Sequence, residues 1–172
     1  LDANGAFCKN NALEKLERLS NFSIHSIEQP IMPNQQQEMA RLCELSPIPI
    51  ALDEELIGVN LSQEREKLLD TINPHFLIVK PSLLGGFKDS NEWIHFAEKR
   101  NIKWWATSAL ESNVGLNSIA QWVSTKNNEL RQGLGTGMLF SNNIQSPLCI
   151  EKDAIFLKEH KKWDLNFFTR QA

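Results

Sequence analysis

Cysteine is scarce, no long apolar run is present, and charge of neither sign dominates the sequence. The three cysteines, Cys8, Cys43 and Cys149, are odd in number and include no CxxC pair, which argues against a disulfide framework or a zinc site. No apolar stretch approaches the roughly 20 residues of a membrane span, and no signal peptide is visible. A net charge of −3 gives no electrostatic reason to expect nucleic acid or an acidic membrane as a partner. These features favour a cytoplasmic protein that binds neither.

The most informative stretch is the apolar run of residues 76–79, which leads directly into Lys80 and Pro81. A continuous apolar run of this length is typical of a strand buried on both faces, as in parallel sheets covered by helices. Side chains alternate along a strand, so Lys80 is the last residue on a face that is otherwise core. This indicates a strand end that opens into a polar site. The apolar residues before Lys80 make the alternative, a surface lysine that reaches solvent, the weaker interpretation.

Strand ends of the same kind recur along the chain at a nearly constant interval of 25 to 28 residues; they are Asp2, Glu28, Asp53, Lys80, Ser108 and Gly135. A polar residue that closes a strand, followed by a helix-sized interval, indicates repeated βα units. Carboxylates and a lysine at the carboxyl ends of consecutive parallel strands are typical of the catalytic face of a (β/α) barrel. The expected fold class is therefore α/β, a TIM-type (β/α) barrel, with strands at residues 22–28, 50–53, 76–80, 104–108 and 133–138.

Three carboxylates that converge on one point would repel one another strongly in a site with little water. A divalent cation removes this conflict, and hard oxygen ligands with room for water and substrate suit Mg²⁺, with Mn²⁺ as a substitute. For any single acid, a helix cap or an exposed loop end is the better interpretation. Three acids in phase with three strand ends favour a metal site formed by Asp2, Glu28 and Asp53. Lys80 would lie beside the metal without binding it, since an ammonium group has no lone pair.

Such an arrangement suits a small-molecule carboxylate substrate. Mg²⁺ can hold the carboxylate and stabilise the ene-diolate that forms when an α-proton is removed, while a lysine moves the proton or screens the charge. This is the general pattern of enolase-superfamily sites. Glycines 133, 135 and 137, expected on one face of the last strand, would leave room for the ligand.

The barrel is expected to be partial. A complete barrel needs eight βα units and about 250 residues, whereas six strand ends are found in 172 residues. We expect residues 1–143 to form about six of the eight units and to carry the metal site, without a capping domain. Residues 144–172 break the period, and their apolar side chains predict a tail that packs outside the barrel or on the missing capping domain. Unpaired sheet edges would then need the missing N-terminal segment of the same protein, or a second copy, as a partner.

A more specific resemblance is carried by six segments, namely DANGAF (2–7), IEQPI (27–31), ALDEE (51–55), KPSLLGG (80–86), SALESNVGLNSIAQW (108–122) and GLGTGMLFSNN (133–143). Over residues 1–148 the chain resembles the o-succinylbenzoate synthases of menaquinone biosynthesis, a family in the muconate-lactonizing branch of the enolase superfamily. The acidic segments are shared across that branch. The last three segments are more specific to the synthases.

This resemblance implies a hydro-lyase, a carbon–oxygen lyase that dehydrates 2-succinyl-6-hydroxy-2,4-cyclohexadiene-1-carboxylate to o-succinylbenzoate. It implies that Asp2, Glu28 and Asp53 bind Mg²⁺ and that Lys80 is the catalytic residue that stabilises the ene-diolate. The residues expected at the substrate end of the pocket are Asn4, Ser108, Gly135 and Thr136.

Two alternatives stay open, and one of them follows from a departure from the family pattern. The family's general base lies in a Lys-x-Lys motif on the strand before Asp2, and this sequence contains no such motif. The chain by itself is therefore expected to be inactive, which leaves a non-catalytic fragment, able at most to bind metal, as one alternative. The other is an N-acylamino-acid or dipeptide racemase or epimerase with the same metal site. Similar dipeptide epimerases carry acidic residues on the last strand, where this sequence reads GLGTGM and has none.

Overall fold

The computed structural model describes residues 1–164 and residue 166. The chain divides into two compact units, Leu1–Trp105 and Ala106–Ala172. Five α-helices are present in the described residues, and their bounds are α1 (Ala12–Leu19), α2 (Gln36–Leu45), α3 (Ser62–Ile72), α4 (Gly86–Lys99) and α5 (Asn113–Ser124). Strands alternate with these helices, as the sequence period predicts. No helix in this part of the chain is both long and apolar enough to cross a membrane.

A four-stranded sheet forms the centre of the fold, with strand order β1-β2-β3-β4 and with bounds β1 (Ile27–Glu28), β2 (Ile50–Leu52), β3 (Phe76–Val79) and β4 (Lys103–Ala106). The β1–β2 and β2–β3 pairs are parallel, and Ala51 pairs with both Glu28 and Phe76. Isolated parallel bridges join Asp2 to Glu28 and Thr107 to Gly133. Six strand positions therefore occur in sequence order, which agrees with the expected partial barrel.

The first unit is held together by helices that cover the sheet. Every residue of β2 and β3 is buried, as expected for parallel strands with both faces covered. The helices contribute apolar stripes at helical spacing, including Met39, Leu42 and Cys43 of α2 and Leu68, Leu69 and Ile72 of α3. Burial of a leucine or isoleucine side chain contributes about 1.5–3 kcal/mol, so these faces stabilise the strands that carry the polar ends.

The expected strand at residues 22–28 is mostly not a strand. Ser20–Phe22 forms a 3₁₀ helix, and Ser23 has a left-handed φ of 52°. Regular pairing begins only at Ile27. The apolar pattern assigns these residues to the strand because a local turn, such as the one at Ser23, does not change the hydrophobic pattern.

The expected strand at residues 133–138 is also wrong. Gly133 pairs with Thr107, but Gly135–Met138 forms a 3₁₀ helix, so the three glycines do not share one strand face. A Cβ on Gly133 would lie 2.6 Å from Thr107 Cγ2, and a Cβ on Gly137 would lie 2.6 Å from Asn113 Oδ1. A Cβ on Gly135 would meet nothing within 4 Å. Close packing therefore explains two of the glycines, and open space surrounds the third.

The second unit contains an antiparallel hairpin formed by β5 (Leu148–Glu151) and β6 (Ala154–Leu157). These strands lie in the segment that the sequence assigns to a tail. Three apolar tail residues on which that assignment also depends, Leu165, Phe167 and Phe168, lie outside the described residues. The division of the chain into residues 1–143 and 144–172 stays a prediction.

Candidate functional site

Glu28, Asp53 and Lys80 come together because each follows or ends a neighbouring parallel strand. Glu28 is the last residue of β1, Asp53 follows β2, and Lys80 follows β3. Asp2 joins this edge through its bridge to Glu28, and the backbone N–H of Glu28 donates to the carbonyl of Leu1 at 2.9 Å. Parallel strands place their carboxyl ends at the same edge of a sheet. The polar residues that end these strands, about 25 to 28 residues apart in sequence, therefore lie close together in space.

Lys80 lies between two of the carboxylates. Its Nζ is 3.5 Å from Glu28 Oε1 and donates a hydrogen bond to Asp53 Oδ2. The side chains of Lys80 and Glu28 remain 18% and 15% exposed, whereas that of Asp53 is 4% exposed. The cluster is therefore half-buried, with a route to solvent on the side of Lys80 and Glu28.

The pKa of Glu28 is raised first by burial and then by the carboxylates that share this edge. Burial, a hydrogen bond with Asp53 and the negative charges of Asp2 and Asp53 raise the pKa of Glu28 to about 8, and the nearby Lys80 only partly opposes them. Burial acts to lower the pKa of Lys80, but its hydrogen bond with Asp53 and the surrounding negative charges outweigh burial and raise it. Part of each shift comes from neighbouring carboxylates, whose negative charge favours a cation at this edge.

The donor set suits a hard divalent cation, but the side chains are not arranged as a metal cage. Within residues 1–164 and 166, no group of three or more histidine, cysteine, aspartate or glutamate side chains has a geometry that could hold a metal ion. The ammonium group of Lys80 takes the place between Glu28 and Asp53 that a cation would compete for. Asp2 Oδ1 accepts a hydrogen bond from the backbone N–H of Asn4 at 2.9 Å. Carboxylate oxygen donors fit Mg²⁺ better than a softer metal.

Two further acids near this edge were missed by sequence reasoning, although both belong to the ALDEE segment. Burial is the main cause that raises the pKa of Glu54, and the charges of Asp53 and Asp2 add to it. Its buried Oε2 has no hydrogen-bond partner among the described residues. Glu55 is 5% exposed and forms part of a buried hydrogen-bond network with Gln29. Three consecutive acids directly after an apolar strand were the available signal.

The predicted substrate-end residues fall into two groups. Asn4 lies beside Asp2 in the first unit and has a left-handed φ of 44°. Ser108 and Thr136 meet in the second unit, where the Thr136 hydroxyl hydrogen-bonds to Ser108 Oγ. Ser108 is buried, and its Oγ accepts from the backbone N–H of Leu110 at 2.9 Å. Gly135 adjoins Thr136 and has open space where a side chain would stand.

These features define an α/β chain with acidic strand ends and a lysine on the following strand. The sequence profile of the enolase C-terminal domain-like family matches residues 1–155, so the chain belongs to that family. The o-succinylbenzoate synthase of Desulfotalea psychrophila is 54% identical over 151 residues, which are 88% of this chain and 41% of that protein. The resemblance predicted from the six segments is thereby confirmed.

The chain is also similar to proteins with other names and to solved structures. An N-succinylamino acid racemase of Thermus thermophilus is 33% identical over 114 residues, which are 66% of this chain and 30% of that protein. The crystal structure of MenC from Desulfotalea psychrophila is 52% identical, has a TM-score of 0.87 and aligns with 90% of this chain and 43% of its own. A muconate cycloisomerase variant with a TM-score of 0.84 is 19% identical and shows the fold alone.

The chain spans about two fifths of the length of the two Desulfotalea psychrophila relatives, 41% of the protein and 43% of the structure. The fold class predicted from sequence, part of a (β/α) barrel, is confirmed by these matches.

Proposed function

We propose that this chain supplies the acidic strand ends of a Mg²⁺-dependent o-succinylbenzoate synthase. The enzyme would remove water from 2-succinyl-6-hydroxy-2,4-cyclohexadiene-1-carboxylate to give o-succinylbenzoate in menaquinone biosynthesis. The single observation that carries the proposal is the Glu28–Lys80–Asp53 cluster in a chain 54% identical to a protein named o-succinylbenzoate synthase. The three free cysteines are compatible with a reducing cytoplasm, where we place the enzyme.

The roles proposed for the residues follow from their charge and position. Asp2, Glu28 and Asp53 would hold Mg²⁺, or Mn²⁺ in its place. The bound metal would supply positive charge for a substrate carboxylate. Lys80, half-buried beside two carboxylates, keeps its proton over a wide pH range because its pKa is raised. It would therefore present a fixed positive charge to the negative charge that develops when the α-proton is removed. Loss of that proton and of hydroxide together accounts for the water released.

The substrate end is proposed to include Asn4, Ser108, Gly135 and Thr136. The paired hydroxyls of Ser108 and Thr136 can donate to and accept from a polar substrate group. The open space at Gly135 leaves room for a ring or chain. Because the sequence contains no Lys-x-Lys motif, the proton-removing base would come from the remaining segment of the same protein.

A second candidate reaction is racemisation or epimerisation of an N-acylated amino acid or dipeptide. It is supported by the 33% identity to a protein named N-succinylamino acid racemase. Removal of an α-proton next to a carboxylate is common to both reactions, so the same strand ends could serve either. The absence of acidic residues from GLGTGM disfavours a dipeptide ammonium as the group recognised there.

The deciding experiment assays the complete protein on both substrate types with Mg²⁺ present, after chelation, and after Mg²⁺ is restored. We expect dehydration that disappears on chelation and returns with Mg²⁺, and that is lost in Glu28→Gln. The matched control is Glu38→Gln, an acid on α2 that forms an ion pair with Arg41 and should leave turnover unchanged. Efficient epimerisation without dehydration would overturn the proposal. Turnover by the 172-residue chain alone would show that the missing base is not needed.

A further inference from the structure

Gln29 follows Glu28 at the end of β1 and is completely buried. Its φ of 37° lies in the left-handed region, which residues other than glycine rarely adopt. The backbone N–H of Gln29 donates to the carbonyl of Ala51 at 2.9 Å, and its carbonyl accepts from the backbone N–H of Gly5 at 2.7 Å. Gln29 is therefore fixed between β2 and the segment that carries Asp2.

The side chain of Gln29 uses its full hydrogen-bonding capacity. Its Oε1 accepts from the backbone N–H groups of Asp53 and Glu55 at 3.2 and 3.3 Å. Its Nε2 donates to the carbonyl of Ile31 at 3.0 Å and to Glu55 Oε2 at 3.3 Å. An amide side chain offers two donors and two acceptor sites. A carboxylate or an apolar side chain of similar size could not satisfy all four partners.

These contacts occur where the regular strand pairing stops. The β1–β2 pairing ends with Glu28 and Ala51, and a 3₁₀ helix, Glu54–Leu56, follows Asp53. The backbone N–H of Asp53 therefore finds its acceptor in the Gln29 side chain and not in a neighbouring strand. Glu55 extends the contact, because its Oε1 accepts from the backbone N–H of Asn34 at 3.0 Å. Gln29 thus joins the residue after Glu28 directly to the backbone of Asp53.

We infer that Gln29 is a positioning residue that fixes the separation of the Glu28 and Asp53 carboxylates and thereby sets the affinity of the site for a divalent cation. The inference rests on the proposed function and deepens it. Gln29 does not itself touch the cation or the substrate. Its effect passes through the backbone, because Glu28 precedes it in the chain and Asp53 is hydrogen-bonded to its side chain.

The test is Mn²⁺ binding to the complete protein, measured by titration for the wild type, Gln29→Met, Gln29→Glu and the double variant Gln29→Glu/Glu55→Gln. Loss of residues that orient metal ligands typically weakens binding about 10–100-fold, and we expect this for both single variants. The double variant should recover part of the affinity, because the new amide at position 55 can donate to the new carboxylate at position 29. The matched control is Gln35→Met, which removes an amide that donates to the nearby Met32 carbonyl at 3.0 Å.

The outcomes separate this inference from the proposed function. Equal Mn²⁺ affinity in the wild type and both single variants would overturn the inference, even if the variants unfold at a lower temperature, because that is the result of a purely structural role. A wild-type protein that binds no Mn²⁺ would overturn the proposed metal function and the inference with it. If Gln29→Met does not fold, the comparison of Gln29→Glu with the double variant decides, since recovery supports the inference and its absence refutes it.

Discussion

Lys80 and His75 flank β3 and show how one residue depends on its neighbours. Lys80, after the strand, lies against carboxylates from the ends of two other strands. His75, before the strand, contacts the start of β2, where its ring Nδ1 accepts from the backbone N–H of Ile50 at 3.2 Å. The role proposed for Lys80 is chemical, whereas the hydrogen bond of His75 is a structural contact between two strands. This difference follows the general division of parallel α/β folds, in which function lies at the carboxyl ends of the strands.

Replacing Lys80 with methionine should separate catalysis from metal binding. The variant keeps most of the side-chain volume and removes the positive charge, so turnover of the complete protein should fall about 10²–10³-fold. Mn²⁺ binding should stay as tight or become tighter, because the ammonium group no longer competes for Glu28 and Asp53. Steady-state kinetics and Mn²⁺ titration measure the two effects. Lys88→Met, at an exposed lysine of α4, is the control, and unchanged turnover in Lys80→Met would contradict the proposed role.

His75 should make stability depend on pH. Partial burial lowers the pKa of His75 from its usual value of 6.5, so the folded state favours the neutral ring that accepts from Ile50. Its contribution is therefore complete above the usual pKa and is lost as the pH falls through the lowered one. We expect the free energy of unfolding to fall on acidification more in the wild type than in His75→Gln, whose side-chain oxygen can still accept.

Urea unfolding of the complete protein, as wild type and as His75→Gln, followed from about pH 8 to about pH 5, measures this difference. His95→Gln changes an exposed histidine of α4 and serves as the control. A parallel decline in the wild type and His75→Gln would show that other groups cause the pH dependence.

At the scale of elements, α3 and α4 are joined by Arg65, whose side chain is 1% exposed. Its guanidinium group pairs with Asp89 at 2.9 Å and with Glu92, both on α4, and its Nε donates to the carbonyl of Val59 at 3.0 Å. It also lies over the ring of Trp93, 5.7 Å from the ring centre. One buried cation therefore holds the start of α4, the helix that follows the KPSLLGG loop.

Arg65→Met should lower the free energy of unfolding by about 2–3 kcal/mol, because two carboxylates and a carbonyl lose their donor. The loss in the free energy of unfolding is not expected to be larger, because Asp89 and Glu92 remain 31% and 34% exposed and can hydrogen-bond to water. Arg41→Met is the matched control. It breaks a surface pair with Glu38 and should change stability by only about 0–1 kcal/mol. Urea unfolding of the complete protein measures both losses, and equal losses in the two variants would show that the Arg65 contacts contribute no more than a surface ion pair.

At the scale of the whole molecule, the number of strands determines whether the chain can fold as a stable monomer. A closed barrel of this kind has eight strands and about 250 residues. The described residues contain a four-stranded sheet, two isolated parallel bridges that extend the strand sequence to six positions, and a separate hairpin. A strand at a sheet edge presents N–H and C=O groups that are ready to pair with another chain.

We therefore expect the purified 172-residue chain to associate with itself or to unfold without a cooperative transition. Adding the remaining segment of the same protein should give a defined complex, because the segment would pair with the free edges. Size-exclusion chromatography with multi-angle light scattering measures the mass of each species. A stable monomer of this chain that unfolds cooperatively would show that its edges are already protected.

The positions of the strand ends could be predicted from the sequence with no knowledge of the fold. Apolar runs that end in Glu28, Asp53 and Lys80 at a nearly constant interval predict parallel strands, and parallel strands bring their ends together. The same reasoning failed at residues 133–138, because glycines at alternate positions fit a strand face as well as they fit a turn of 3₁₀ helix.

The hydrogen bond of Lys80 with Asp53, the burial of Glu55 and the side-chain contacts of Gln29 were decided by the tertiary structure alone. Each depends on atoms from segments more than 20 residues apart, such as the Gln29 side chain and the Asp53 backbone. Sequence patterns report which face of an element is apolar, and so they determine the fold class and the edge where polar residues gather. They do not report which donor meets which acceptor, because that depends on the packing of elements that are distant in the chain.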